Sequence, residues 1–313
     1  MGLGQGPGRD HLMRGVIDAA AAFAAYEAVR HRLPEAAFPA RATAVANLLA
    51  LADMADVFLL DAFGVLNVGN RPIPGARAAI AALRRAGKRV IVVSNAASYC
   101  KRVQVDHYRR IGFDFVEEDV ISSRDALLEE LRRRPPCRSG MMAPRAGGRE
   151  GIEHLDADFL EDDAGAYAAA EAFLLLGSCE WTEDRQGLLL QSLTQRPRQV
   201  LVGNPDIVAP REKGLSPGPG HYAHRIADAT GIEPEFFGKP FGAIFDLALA
   251  CCPGVAPRRV VMVGDTLQTD ILGGAAAGLR TALVTGHGAL AGLDPTVAID
   301  GSGIVPDFIL PSI

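Results

Sequence analysis

The sequence predicts an α/β protein on a parallel sheet, with a second α/β unit inserted into it. Three observations carry that expectation. Short apolar runs recur, Val57-Phe58-Leu59-Leu60, Val90-Ile91-Val92-Val93 and Val260-Val261-Met262-Val263, as strands buried on both faces read. Polar residues follow each run: Asp61, Ser94-Asn95 and Gly264-Asp265. That places them at the carboxyl edge of the sheet, where open α/β folds bind ligands. Finally, the texture changes near residue 138, after a stretch rich in Arg, Pro and Gly, and the main pattern resumes near 229.

Whole-chain properties bound the function. The 313 residues are long enough for two domains. The net charge of −5, from 32 Lys+Arg and 37 Asp+Glu, gives no general pull toward nucleic acid. Five cysteines, an odd number without a CxxC pair, fit a reducing compartment. Met1 to Arg14 lacks the hydrophobic segment of a secretory signal, and no apolar run reaches bilayer length. A cytoplasmic location, without a membrane partner, is expected.

The elements follow in order. Gly2 to Gly8 is expected to be disordered. Val16 to Arg30 reads as a helix ended by Pro34, and about Ala40 to Ala52 as a second, short one; together residues 1–44 form a helical extension packed on the core. Val57–Leu60 is the organising strand. Asn67 to Asn70 form a turn, and Pro72 to Gly75 open a helix with Ala76, Ala79, Ile80 and Leu83 on its buried face. Arg84, Arg85 and Gly87 suit its C-terminal end. Val90–Val93 completes a right-handed βαβ unit. A helix near Lys101 to Arg110 and a strand at Val120-Ile121 close the first part of the core, residues 45–137.

Residues 138–228 read as the inserted domain, with strands at Ala172–Leu176 and Gln199–Val202. The loop Ser178 to Trp181 carries the only tryptophan, which faces either a substrate or a core. Pro217-Gly218-Pro219-Gly220 reads as a turn before a helix from about Tyr222 to Ala229. It lacks the Lys-Ser/Thr of a phosphate loop. His221 and His224 have no third ligand nearby and read as a surface pair rather than a zinc site. The second part of the core, 229–313, holds a helix opened by Gly238-Lys239-Pro240, strands at Val260–Val263 and Thr281–Gly286, and a last, edge strand at Pro306–Leu310. A lysine at a helix start is unfavourable for the dipole, so Lys239 is expected to have an anionic partner.

The residues at the sheet edge define the candidate chemistry. A carboxylate there either caps a helix, pairs with a cation, holds a metal or reacts. Gly64 allows a sharp turn after Asp61. Ser94, Asn95 and nearby N–H groups make an anion cradle or an N-cap pair.

Asp61-x-x-Gly64-Val65, Ser94-Asn95, Gly238-Lys239-Pro240 and Gly264-Asp265-x4-Asp270 occur in the order of the four motifs of the haloacid dehalogenase (HAD) superfamily. Asn204-Pro205-Asp206 resembles its class IIA branch, the NagD-like and 4-nitrophenyl-phosphatase-like proteins. The resemblance covers about 45–313. It implies a Rossmann-like, doubly wound core with a C2-type α/β cap, Mg²⁺ and phosphate ester hydrolysis of a small substrate. It also implies a nucleophile at Asp61, Lys239 as the balancing cation, and phosphate or substrate contacts from Ser94, Asn95, Asn204 and Asp206. The metal set it implies is Asp61, the Phe63 carbonyl, Asp265 and Asp270. Members with this cap often pair through it, which leaves a homodimer through the cap as an open alternative to a monomer.

One position departs from the pattern. The family's phosphatases carry a second Asp two residues after the nucleophile, as general acid and base; here it is Phe63, which cannot transfer a proton. Three readings stand, in this order. The first is a phosphatase slowed by the loss of a group typically giving about 10²–10⁴-fold. The second is an inactive binding or regulatory protein on the same scaffold. The third is a 2-haloacid dehalogenase, whose family pattern places an aromatic there. Against the third, Asp61 and Ser94 lie too close in sequence for the cap those enzymes insert, and Asp265 and Asp270 keep a metal site they do not need.

Overall fold

A computed structural model describes residues 18–210 and 215–313. Among them, seven strands form one parallel sheet in the order Thr43–Ala44, Phe308–Leu310, Arg280–Val284, Val260–Gly264, Val57–Leu60, Arg89–Ser94 and Val120–Ser122. From Val57–Leu60 the chain winds to one side, and from Val260–Gly264 to the other. The point where the winding reverses lies between these two strands, which is where such folds open a ligand crevice. Their register pairs Val57 with Val260 and Leu60 with Val263, and the Asp61 N–H donates to the Val263 carbonyl at 2.8 Å. Asp61 and Asp265 are thereby delivered to the same edge.

The organising strand is buried at all four positions because helices cover both faces of the sheet. Side chains alternate across a strand. Phe58 and Leu60 pack with Ile80, Leu83, Val105 and Tyr108 on one face. Val57 and Leu59 pack with Ala126, Leu127, Ile244 and Phe245 on the other.

A second, five-stranded parallel sheet runs Glu235–Phe236, Gln199–Val202, Ala172–Leu175, Ser139–Met142, Ala157–Phe159. It extends past the boundary expected at 228, because Glu235 and Phe236 pair with Leu201 and Val202. One apolar cluster joins the two sheets, with Ala97, Ile121 and Leu127 from the first and Leu174, Leu176 and Leu201 from the second. Trp181 belongs to the second sheet's own core beside Tyr167 and Leu189, and its indole N–H donates to Gln186 Oε1 at 3.0 Å.

Several local expectations are corrected. The first helix runs Ala19–Ala28, capped by Asp18; Gly2 to Gly8 and the residues up to 17 lie outside the described part. The helix expected over 40–52 is absent. Thr43–Ala44 adds to the sheet edge, and Leu48–Leu51 is a single tight turn capped by Asn47. Leu48 and Leu51, three apart, both reach the core, so one turn suffices to bury them. The strand Phe308–Leu310 is consequently second from the edge rather than last. Asn67–Val68 and Arg71–Pro72 form a small hairpin where a plain turn was expected. The helix expected from Tyr222 starts earlier, spanning Pro219–Thr230, because Pro219 serves as its first residue. Among the described residues no helix is long and apolar enough to cross a membrane.

Because Phe58 is fully enclosed on the central strand, Phe58→Ala is expected to cost about 3–5 kcal/mol of stability. Denaturant titration of the variant checks this; a loss below about 1 kcal/mol contradicts the packing described.

Candidate active site

The crevice is built around one buried ammonium. Lys239 is 2% exposed, and its Nζ lies 2.5 Å from Asp61 Oδ1, 2.7 Å from Asp270 Oδ1 and 2.9 Å from the Val93 carbonyl. The ammonium donates hydrogen bonds to Asp61 and the Val93 carbonyl and forms an ion pair with Asp270. Burial opposes its charge, but Asp270 and Asp61 outweigh that and hold Lys239 well above the ordinary lysine range. The helix after it begins only at Gly242. The dipole conflict inferred from sequence is therefore absent, and the lysine's place is explained by its two carboxylates.

Asp265 is held from the side away from Lys239. Its Oδ2 accepts the Ala289 N–H at 2.6 Å, and its Oδ1 accepts the Thr266 hydroxyl at 3.1 Å. Asp270 Oδ2 accepts the Thr266 N–H at 3.1 Å. Two glycines press against Asp265, Gly64 with φ +78° and Gly288 with φ +79°. A Cβ on either would overlap its carboxyl group, so these positions need glycine both for backbone conformation and for space.

Asp61, Asp265 and Asp270 present oxygens within 4.8 Å of one another. Three carboxylates face one ammonium, leaving negative charge unmatched in a buried crevice. Asp265 and Asp270 are both pushed up, first by burial; the charge of Asp61 raises each further. An all-oxygen, electron-rich cluster of this kind fits a hard divalent cation such as Mg²⁺. Phe63 follows at the start of the turn, half-buried and bridged to Asn67. No carboxylate stands at its position.

The remaining expected residues sit on the next strand and on the second sheet. Ser94 ends the neighbouring strand, and its Oγ accepts the Ala96 N–H at 3.2 Å. Asn95 spends its side chain within the protein: Oδ1 accepts the Lys239 N–H at 2.7 Å, while Nδ2 donates to the Lys239 carbonyl at 2.9 Å and to Asp206 Oδ1 at 2.7 Å. Asn204 Oδ1 accepts the Asp206 N–H at 2.9 Å, which shapes the loop. Asn95 and Asp206 therefore tie the second sheet to the lysine loop, a role the sequence reading did not assign. Glu180 caps the Arg145 N–H at 3.3 Å, and His224 stacks on Phe236 with ring centroids 5.1 Å apart.

Sequence reasoning missed Gly288, Ala289, Thr266 and Tyr26. The first two act through backbone and shape, and only the Gly286-His287-Gly288 spacing hinted at them. Tyr26 comes from the first helix and accepts the Ile207 N–H at 3.3 Å; nothing local marks it.

The fold is a doubly wound α/β sheet with a carboxylate cluster at its switch point. Residues 58–156 match the family model for haloacid dehalogenase-like hydrolases, and 236–310 match a second, HAD-hydrolase-like model. Glycerol-3-phosphate phosphatase of Gallus gallus is 32% identical over 289 residues, covering 82% of this chain and 89% of that protein. A possible sugar phosphatase from Cytophaga hutchinsonii has the same fold, with a TM-score of 0.75, 26% identity, and coverage of 87% and 98%. Glycerol phosphate phosphatase from Mycobacterium tuberculosis, in complex with magnesium, superposes with a TM-score of 0.66 at 25% identity, covering 83% and 75%. The chain belongs to the haloacid dehalogenase-like hydrolases, in the class IIA branch that its motifs resemble.

Asp206 supplies a pH test. Loss of solvent pushes its carboxyl up to about 6 from 3.8, against the lowering effect of the Asn95 hydrogen bond. The folded state thus binds this proton more tightly than the unfolded state, and the resulting stability is lost as pH rises through about 6. Asp206→Asn carries no such loss. Its melting temperature relative to wild type should climb between about pH 4 and pH 7 and then level off; a difference constant across that range contradicts the assignment.

Proposed function

We propose that the chain is a Mg²⁺-dependent phosphatase of small phosphorylated metabolites that works through an aspartyl-phosphate on Asp61. The observation that carries this reading is the cluster of Asp61, Asp265 and Asp270 around Lys239 at the switch point. The phosphatases named among its relatives support it.

Asp61 is the nucleophile: a carboxylate oxygen bonds to phosphorus, the bond to the ester oxygen breaks, and its electron pair leaves with that oxygen. Lys239 orients the attacking carboxylate through its 2.5 Å contact and offsets charge as phosphate arrives. Ser94 faces the transferring oxygens from the adjacent strand. Asp61, Asp265 and the Phe63 carbonyl would hold Mg²⁺, with Asp270 fixing Lys239 beside them. Bound there, Mg²⁺ supplies positive charge for the phosphoryl oxygens. Residues 138–228, extended by the strand Glu235–Phe236, act as the cap that selects the leaving group, and Asn95 with Asp206 fasten it over the core. Water then attacks the aspartyl-phosphate at phosphorus, the bond between phosphorus and the Asp61 oxygen breaks with its electron pair returning to the carboxylate, and inorganic phosphate leaves carrying the water's oxygen, the water's proton passing to the phosphate or solvent.

Phe63 shapes the substrate range. With no acid beside the leaving oxygen, esters whose alcohols leave without a proton are favoured. Wild type with Mg²⁺ should release phosphate slowly from aryl phosphates, and both Asp61→Asn and chelation should abolish it, read by a phosphate assay. Alkyl phosphates should react more slowly, by up to about 10²–10⁴-fold.

The same residue favours a second reading, a HAD scaffold that binds but does not turn over. Absence of phosphate release from aryl esters by folded, Mg²⁺-loaded protein would establish it. Metal-independent halide release from a 2-haloacid would instead restore the dehalogenase reading. Phe63→Asp returns a proton carrier to the turn, and alkyl-ester turnover should rise about tenfold or more once folding is verified. An unchanged alkyl-to-aryl ratio would show that the missing acid is not what limits the enzyme.

A further inference from the structure

Residues 18–33 touch both sheets' units and have no step in the reaction above. Toward the core, Glu27 Oε1 accepts Gln268 Nε2–H at 2.8 Å, and Gln268 is buried in the turn between Asp265 and Asp270. Leu33 joins an apolar cluster with Leu267, Ile271, Leu283 and Leu290, and Phe23 and Val29 pack against it. Toward the second unit, Tyr26 accepts the Ile207 N–H at 3.3 Å, Ala25 and Tyr26 cluster with Ile207, and Arg32 pairs with Asp228 at 3.0 Å. Ile207 directly follows Asp206, whose carboxylate reaches Asn95. The segment thus grips the second unit next to its tie to the Lys239 loop.

We propose that residues 18–33 are a strap anchored on the core that holds the second unit down, with Tyr26 its positioning residue on the second unit. The strap does not rest on the phosphatase reading. Its two ends are unequal. On the core side Leu33 is buried in a nine-residue apolar cluster, and Phe23 and Val29 pack part-buried against it. The other side relies on the three-residue cluster of Ala25, Tyr26 and Ile207, one hydrogen bond and a part-exposed ion pair. Opening therefore separates the strap from the second unit and leaves it on the core. Tyr26 is 6% exposed at that seam. Burial first, and then the nearby Asp206 carboxylate, hold its hydroxyl well above the usual tyrosine range, so it stays neutral while accepting the Ile207 N–H.

Hydrogen exchange on the full Mg²⁺-loaded chain tests the strap. Tyr26→Phe removes the acceptor for Ile207 and should speed exchange across 205–208 by about tenfold. Arg32→Asp should speed exchange there and in 219–230, and adding Asp228→Arg should reverse it, while 57–61 and 260–264 stay protected. Unchanged exchange at 205–208 in both single variants overturns the strap. The readout needs no turnover, so an inactive wild type would defeat the phosphatase reading and leave the strap standing.

Discussion

The buried contact between Lys239 and its two carboxylates is the constraint around which the crevice is arranged. Removing an ammonium from water is expensive unless its charge is answered, and here Asp61 and a main-chain carbonyl accept its hydrogen bonds while Asp270 adds a second ion pair. Each acceptor comes from a different strand or the turn after one. The lysine can reach them only if the strands stay in register and the loop carrying it is pinned. Asn95 does the pinning, using both ends of its amide on the Lys239 backbone. Backbone precision in one loop thus supports the electrostatics of the whole site.

The parts of the fold with strong periodicity were legible from sequence. Val57–Leu60, Arg89–Ser94 and Val260–Gly264 are uniformly or almost uniformly buried, so their apolar runs are dense and their polar ends conspicuous. Lys101–Arg110 and Ala76–Arg85 are amphipathic and have clear ends. Weakly patterned segments were misread. Residues 40–52 look helical because they are rich in Ala and Leu, yet tertiary packing prefers an edge strand and one tight turn. The strand Glu235–Phe236 is too short to announce itself and exists because Gln199–Val202 offers it an edge.

At the site, the side chains that form the cluster were visible because acids and a lysine at strand ends are chemically unusual. What remained hidden was of another kind. Gly288 and Ala289 contribute space and an N–H group, which carry no side-chain signal. Tyr26 reaches Ile207 from 181 positions away, a juxtaposition that only the folded chain creates. Asn95 was noticed for its amide, but the partner of that amide is protein, and the distinction depends on geometry.

The crevice is split in sequence as well as in space. Asp56 and Arg259, side by side at the start of the two central strands, are 203 positions apart. During synthesis Val57–Leu60 emerges long before Val260–Gly264, and until then one of its edges has no partner. An apolar strand with an open edge invites pairing with other chains. Closing so long a loop also makes the central pairing late and slow relative to local contacts. In that interval the intervening second sheet can form but the core cannot, so it is there that pairing with other chains competes with folding.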